Sequence, residues 1–263
     1  MTKKHLLKGL NVLITRPKGQ GQGLGEKVLE SGGKPVFFPL LRITPLQDEQ
    51  SLQVAREIVK NLDNYDMTIF ISSNAVKFGL QLIDQYWPEF PQDLTVFAIG
   101  PVTAKSLSSI NTTVHCSPKG MKSEDLLSLT ELQQVAGLKI ALFRGRGGRE
   151  LLADTLRDRG AQVDYVESYE RSVPDYYSEE LMTKIGENGI NVICVTSVQI
   201  LDSLCQLVGI NKGSVSLIPL LVPSERIRVK ALAAGFLQVI NSAGANDEAI
   251  LRELETVASN LQS

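Results

Sequence analysis

The chain has 263 residues with 43% hydrophobic and 6% aromatic content, enough to bury one large core or two of ordinary size. A formal net charge of −2 excludes a bulk attraction to nucleic acid or to anionic membranes, so any anionic ligand must be held by local donors. Three cysteines without a CxxC pair exclude a disulfide framework, and with only two histidines a metal site is not expected.

The N-terminal stretch MTKKHLLKGLNVLITRP carries His5 and several basic residues, but Lys8, Gly9 and Asn11 interrupt its apolar segments. It reads as neither a signal peptide nor a membrane span, and a cytoplasmic location is expected. NVLITRP (11–17), PVFFPLLRI (35–43), MTIFISS (67–73) and TVFAIG (95–100) then read as strands, the third followed after Asn74 by the helix-like AVKFGLQLI. Farther on, SEDLLSLTELQQV (123–135) reads as a helix, KIALFRG (139–145) as a strand, GRELLADTLRDRG (148–160) as a helix and QVDYVESY (162–169) as a strand. NVICVTS (191–197), SLIPLLV (216–222) and FLQVINS (236–242) are the last strands before the helical DEAILRELETVASNL (247–261). Such alternation, with near-continuous apolar strands, predicts an α/β fold whose parallel sheets are covered on both faces. Cys194 and Cys205 read as core filler and not as nucleophiles.

The chain also echoes itself. Ser73 and Ser197 lie 197 − 73 = 124 residues apart, and Glu124 and Glu248 lie 248 − 124 = 124 apart. VLITRP matches IALFRG, setting Arg16 against Arg144, and GGKPVFFPLLRITP (32–45) matches GAQVDYVESYERSVP (160–174). A first pattern thus occupies 10–45 and 139–174, and a second 65–135 and 190–261. Pairing the outer pieces predicts a discontinuous domain of 1–39 and 174–263 around an inserted domain of 45–168. Extended hinge strands at 39–46 and 168–176 would join them, where Pro39, Pro45 and Pro174 favour extended backbone. Generic strand–turn–helix patterns can also produce such echoes.

Two junctions carry the functional signal. IFISSNAV (69–76) ends a strand in Ser72, Ser73 and Asn74 just where a helix begins, and ICVTSVQI (193–200) does so with Thr196 and Ser197. These residues are either ordinary helix caps or small side chains that let an acid group approach the unpaired N–H groups of a helix start. FRGRGGRE (143–150) sets Arg144, Arg146 and Arg149 among three glycines. Glu150 spoils a GxGxxG and the Lys-Ser/Thr of a P-loop is missing, while GQGQGLG (19–25) lacks the dinucleotide spacing. The turn is then either a flexible helix entry with solvated arginines or an anion grip.

Taken in order, VLITRP, IFISSNAV, AIGPVTAKSL (98–107), SEDLLSL, RGRGGRELLADTLRDRGAQV (144–163) and YERSVP (169–174) resemble the uroporphyrinogen-III synthase family over residues 10–255. The resemblance implies two HemD-like, flavodoxin-like parallel-sheet domains joined by a two-stranded hinge, one of them discontinuous, with the active site between them. It implies a cyclising hydro-lyase of tetrapyrrole biosynthesis that closes hydroxymethylbilane to uroporphyrinogen III with ring D inverted, using no metal and no cofactor. The partners expected are that substrate and hydroxymethylbilane synthase, which hands it over; a monomer is expected, with no nucleic acid or membrane partner.

By the same resemblance Tyr169 faces the cleft and helps the terminal hydroxyl leave, and Thr103, unless it merely caps AKSL, is the second catalytic candidate. Ser72, Ser73, Asn74, Ala75, Thr196 and Ser197 would bind substrate carboxylates, joined by Arg144 and Gly145. Arg16 is the equivalent of Arg144 or a structural ion-pair partner. Many members carry a Gly-Pro-Thr-Thr-Ala-like turn in the second half, whereas LLVPSERIRVKAL (220–232) keeps a hydroxyl at Ser224 and places Glu225 beside it. Two other classes fit a hinged two-domain plan: a cytoplasmic small-anion binding module without catalysis, and a nucleotide-sugar transferase, disfavoured by the missing glycine fingerprint.

Overall fold

The computed structural model describes residues 6–117, 120, 122–209 and 212–262, so His5 lies outside the described residues. The chain divides into two compact units, Met1–Ile43 with Ser172–Ser263, and Thr44–Arg171. The first segment supplies β1 (Asn11–Ile14), α1 (Gln22–Glu30) and β2 (Lys34–Phe37), and β3 (Arg42–Pro45) crosses into the second unit. That unit runs through α2 (Glu49–Lys60), β4 (Met67–Phe70), α3 (Ser73–Ile83), β5 (Thr95–Ala98), α4 (Gly100–Ser106), β6 (Val114–Cys116), α5 (Ser123–Leu127), β7 (Lys139–Gly145), α6 (Leu151–Asp158) and β8 (Gln162–Ser172). The first unit is then completed by α7 (Ser178–Asn188), β9 (Val192–Cys194), α8 (Val198–Val208), α9 (Lys212–Val215), β10 (Leu220–Val222), α10 (Glu225–Ala233), β11 (Val239–Asn241) and α11 (Asp247–Gln262).

One sheet has the order β11-β10-β9-β1-β2 and the other β3-β8-β7-β4-β5-β6. The strands of each echoed pattern are thereby shared out: β1 and β2 sit with β9–β11, and β7 and β8 with β4–β6. The central pairs β1–β9, β9–β10, β4–β5 and β4–β7 are all parallel. The two crossings, β3 and β8, are neighbours in the second sheet.

The strands are apolar on both faces because both faces are covered. In β1, Leu13 packs with Ile193, Leu220 and Val222, while its neighbours Val12 and Ile14 pack with Val192, Cys194 and Leu221. This is the two-residue alternation of a strand, and each fully buried Val, Leu or Ile contributes about 1.5–3 kcal/mol. In the second unit Ile69, Phe97, Ile140 and Leu142 form one face's core. Phe70 and Phe143 also stack, with ring centroids 4.4 Å apart. Burial pushes the Cys194 thiol up to about 12, in keeping with a residue that fills space.

Some boundaries differ from the sequence expectation. PVFFPLLRI is split, β2 ending at Phe37 and β3 starting at Arg42, because Pro39 has no N–H to continue a ladder. Phe38 and Leu40 donate instead to the carbonyls of Ile14 and Thr15. SEDLLSLTELQQV stops as α-helix at Leu127 and resumes as a short 3-10 turn at Thr130–Leu132. β6 has no counterpart among the expected strands; its three residues are half-buried.

Candidate functional site

In the second unit, the C-terminal end of β4 leads through Ile71 to Ser72, the N-cap of α3. Ser72 is extended, with φ −169°, and its Oγ accepts from the Ala75 N–H at 3.1 Å. That amide, one of the expected ligand donors, therefore serves the cap. Ser73 Oγ accepts from Ser106 Oγ at 3.1 Å, tying the first turn of α3 to α4. Ser73 and Asn74 are half-buried in that first turn, at the positive end of the helix dipole.

Tyr169 lies beneath this turn and not on an open surface: its relative exposure is 0%. Its ring packs on Phe78 with centroids 5.6 Å apart, and its hydroxyl is 3.1 Å from Ser72 Oγ. Arg171 Nη2 donates to the same hydroxyl at 3.0 Å. Gly145, at the end of β7, makes room for the ring, since a Cβ there would lie 2.5 Å from Tyr169 Cε2. Ser72, Gly145 and Tyr169 are thus brought together.

Arg144 turns inward, 2% exposed. Nη1 donates to both Glu150 carboxylate oxygens at 3.1 and 3.3 Å, Nη2 donates to the Gly147 carbonyl at 2.5 Å, and the guanidinium lies 4.5 Å from the Tyr165 ring centroid. Glu150 is held below its ordinary 4.5, first by the Tyr165 hydroxyl that donates to it, against partial burial, and then by Arg144. Gly147 and Gly148, with φ of +69° and +112°, take the left-handed backbone the turn requires. Arg144 accordingly organises the glycine turn, whereas Arg146 and Arg149 are exposed on it. Thr103 is 5% exposed inside α4. It is not the cap of AKSL, because the helix begins three residues earlier at Gly100, whose φ of +77° makes the bend after β5.

In the first unit Ser197 caps α8, with φ −154° and Oγ accepting from the Ile200 N–H at 3.2 Å. Thr196, half-buried, precedes it. The matching caps are therefore Ser72 and Ser197, 197 − 72 = 125 residues apart, and the pairing of Ser73 with Ser197 is one residue out of register. Ser224 stands as N-cap of α10, also extended at φ −161°, but its side chain makes no cap hydrogen bond. Glu225 beside it is exposed and accepts from Arg228 Nη1 at 2.8 Å. Arg16 donates to Asp247 Oδ1 at 2.5 Å and to the Ala245 carbonyl at 2.7 Å, with its side chain 11% exposed. This ion pair fixes an acid in the first turn of α11.

Each sheet thus presents, outside the C-terminal ends of parallel strands, helix starts capped by serine, the place where open α/β sheets receive ligands. Arg171, Ser106 and Glu150 were not among the expected site residues. Arg171 is two residues beyond Tyr169, and a strand's period of two puts both on one face, a signal that was available. Among the described residues no group of three or more His, Cys, Asp or Glu could hold a metal ion, and no helix is long and apolar enough to cross a membrane.

Residues 22–252 match the family model described as uroporphyrinogen-III synthase HemD. The chain is similar to the uroporphyrinogen-III synthase of Escherichia coli (strain K12), 32% identical over 252 residues, 94% of this chain and 100% of that protein. It is 33% identical to that of Proteus mirabilis over 196 residues, 74% of this chain and 97% of that one. In fold it resembles the solved uroporphyrinogen-III synthetase of Helicobacter pylori 26695, with a TM-score of 0.60, 11% identity and coverage of 94% of this chain and 99% of that one. Neither the binding-module nor the transferase reading finds support among these relatives.

Proposed function

Since the chain belongs to the uroporphyrinogen-III synthase HemD family, we propose that it closes hydroxymethylbilane to uroporphyrinogen III with inversion of ring D. The family match over residues 22–252 carries this reading. The enzyme is a cyclising lyase of tetrapyrrole biosynthesis. In this reading it works without a cofactor, as a cytoplasmic monomer supplied by hydroxymethylbilane synthase.

The substrate is a polycarboxylate, and the protein has no positive net charge to attract it. Directed donors must do so, and the starts of α3, α8 and α10 at Ser73–Asn74, Thr196–Ser197 and Ser224 are the groups suited to it. Ring A loses its protonated hydroxymethyl oxygen as water to give an azafulvenium; the substituted carbon of ring D attacks, and the spiro intermediate opens and recloses with that ring reversed, releasing a proton. Unassisted closure gives the symmetrical type I isomer, so the protein's task is chiefly geometric. Holding reacting carbons in place can lower a barrier by several kcal/mol, on the order of 7–11 in the best cases. Arg144 and Arg16 contribute by shaping the turn after β7 and the start of α11.

The test is to generate hydroxymethylbilane in situ, oxidise the product and separate the isomers. Type III in excess over the enzyme-free control is expected; type I alone refutes the reading. Thr103→Ala and Tyr169→Phe, each alone, are expected to lower turnover by about ten- to a hundredfold without abolishing it.

A further inference from the structure

We propose that Ser72, and not the buried Tyr169, is the catalytic residue that meets the leaving hydroxyl of the substrate, with Tyr169 and Arg171 as positioning residues behind it. This rests on the function proposed above. A residue at 0% exposure offers the substrate no surface, whereas Ser72 is half-buried at a helix start.

Hydrogen-bond valence sets the direction of the chain. Arginine only donates, so the Tyr169 hydroxyl accepts from Arg171 Nη2 at 3.0 Å. Among the described residues the remaining partner of that hydroxyl is Ser72 Oγ at 3.1 Å, to which its single proton is given. Ser72 Oγ also accepts the Ala75 N–H at 3.1 Å. A hydroxyl has two acceptor lone pairs, and both are then filled. The Ser72 proton must point away from both partners, toward the mouth of the α3 start where a ligand would lie. The reverse order, Ser72 donating to Tyr169, would set two donors on the Tyr169 oxygen and leave its own proton buried without an acceptor among the described residues.

In the reaction Ser72 gives its proton to the ring A hydroxymethyl oxygen as the C–O bond breaks, and water leaves. The pyrrole electron pair moves into the gap to form the azafulvenium. Tyr169 replaces the Ser72 proton, and its oxygen charge faces Arg171. When ring D closes and its ring carbon loses a proton to restore aromaticity, that proton returns through Ser72 to Tyr169, so nothing further is consumed.

The experiment is a set of double-mutant cycles read by kcat, KM and isomer ratio. Ser72→Ala is expected to lower kcat by about ten- to a hundredfold with little change in KM, and Ser72→Thr, which keeps hydroxyl and cap, to restore most of it. Tyr169→Phe added to Ser72→Ala is expected to cause no further loss. Arg171→Met is expected to lower kcat in the native chain but not in the Tyr169→Phe background. Multiplicative losses in either cycle, or full kcat in Ser72→Ala, overturn the proposal. Should Ser72→Ala fail to fold for want of its cap, Ser72→Asn, which keeps a cap acceptor but has no hydroxyl, takes its place in the cycle and is expected to show the same loss of kcat. Failure of the broader function would look different: the native chain itself would yield only type I.

Discussion

Gly145→Ala tests the packing on which the candidate site depends. The new Cβ would sit 2.5 Å from Cε2 and 2.6 Å from Cζ of Tyr169. Ordinary carbon contacts lie at about 3.5–4.0 Å, so the ring would have to withdraw by about 1 Å. It has nowhere to go, being fully buried against Phe78 with its hydroxyl between Ser72 and Arg171. Overpacking of this kind costs about 1–3 kcal/mol. At about 2–4 °C per kcal/mol for a chain of this size, a cost of about 2 kcal/mol lowers the unfolding midpoint by about 4–8 °C. Turnover should fall with it, because the hydroxyl is carried off Ser72. Gly147→Ala is the control, since at φ +69° it has no atom within 4 Å of the added carbon and meets only backbone strain of about 1–2 kcal/mol. Calorimetry and the isomer-resolved assay read both variants. An unchanged midpoint and turnover in Gly145→Ala would falsify the argument.

Other consequences follow from the caps, the acids and the thiols. Ser197→Ala should cost about 1 kcal/mol in urea unfolding, whereas Ser224→Ala, which removes no cap hydrogen bond, should cost markedly less; equal losses would contradict the assignment. Glu150, Asp48 and Glu248 all titrate below their ordinary values, held down first by hydrogen bonds from Tyr165, Ser51 and Lys27 respectively. A depressed carboxylate stabilises the fold above its unfolded value and loses that contribution as pH falls through the folded one, so stability should drop below about pH 4.5. Glu150→Gln should flatten that drop, and an identical acid profile would count against the Tyr165–Glu150–Arg144 network. With its thiol pushed up to about 12, Cys194 should resist a thiol reagent at pH 8 until the chain unfolds, while the partly exposed Cys116 and Cys205 react. Three equivalents titrated from the native protein would refute its burial.

The α/β class and the parallel sheets were legible because strands covered on both faces must be apolar throughout, and VLI, TIF and VIC are. The strand ends were less so: Pro39 broke what looked like one run, and the short edge strand Val114–Cys116 is too polar in aspect to stand out. At the site, the serines at helix starts could be read, but their partners could not. Ser72 meets Tyr169 across 97 residues, and only the register of β7 against β8, with its irregularity at Arg144 and Gly145, brings the two together. In the sequence Glu150 stands out only as the residue that spoils a glycine motif. It is the carboxylate that satisfies Arg144, a pairing made by the turn itself.

The split sheet bears on how the polypeptide matures at the ribosome. β1 must await β9, with Val12 beside Val192, 192 − 12 = 180 residues downstream. At about 5–20 residues per second that delay is on the order of ten to forty seconds. Throughout it the nascent amino end has only β2 for company, while the intervening segment, uninterrupted in the chain, can condense by itself. A strand greasy on both sides and lacking its neighbour invites unwanted association, so the opening residues are where chaperone engagement during synthesis should concentrate.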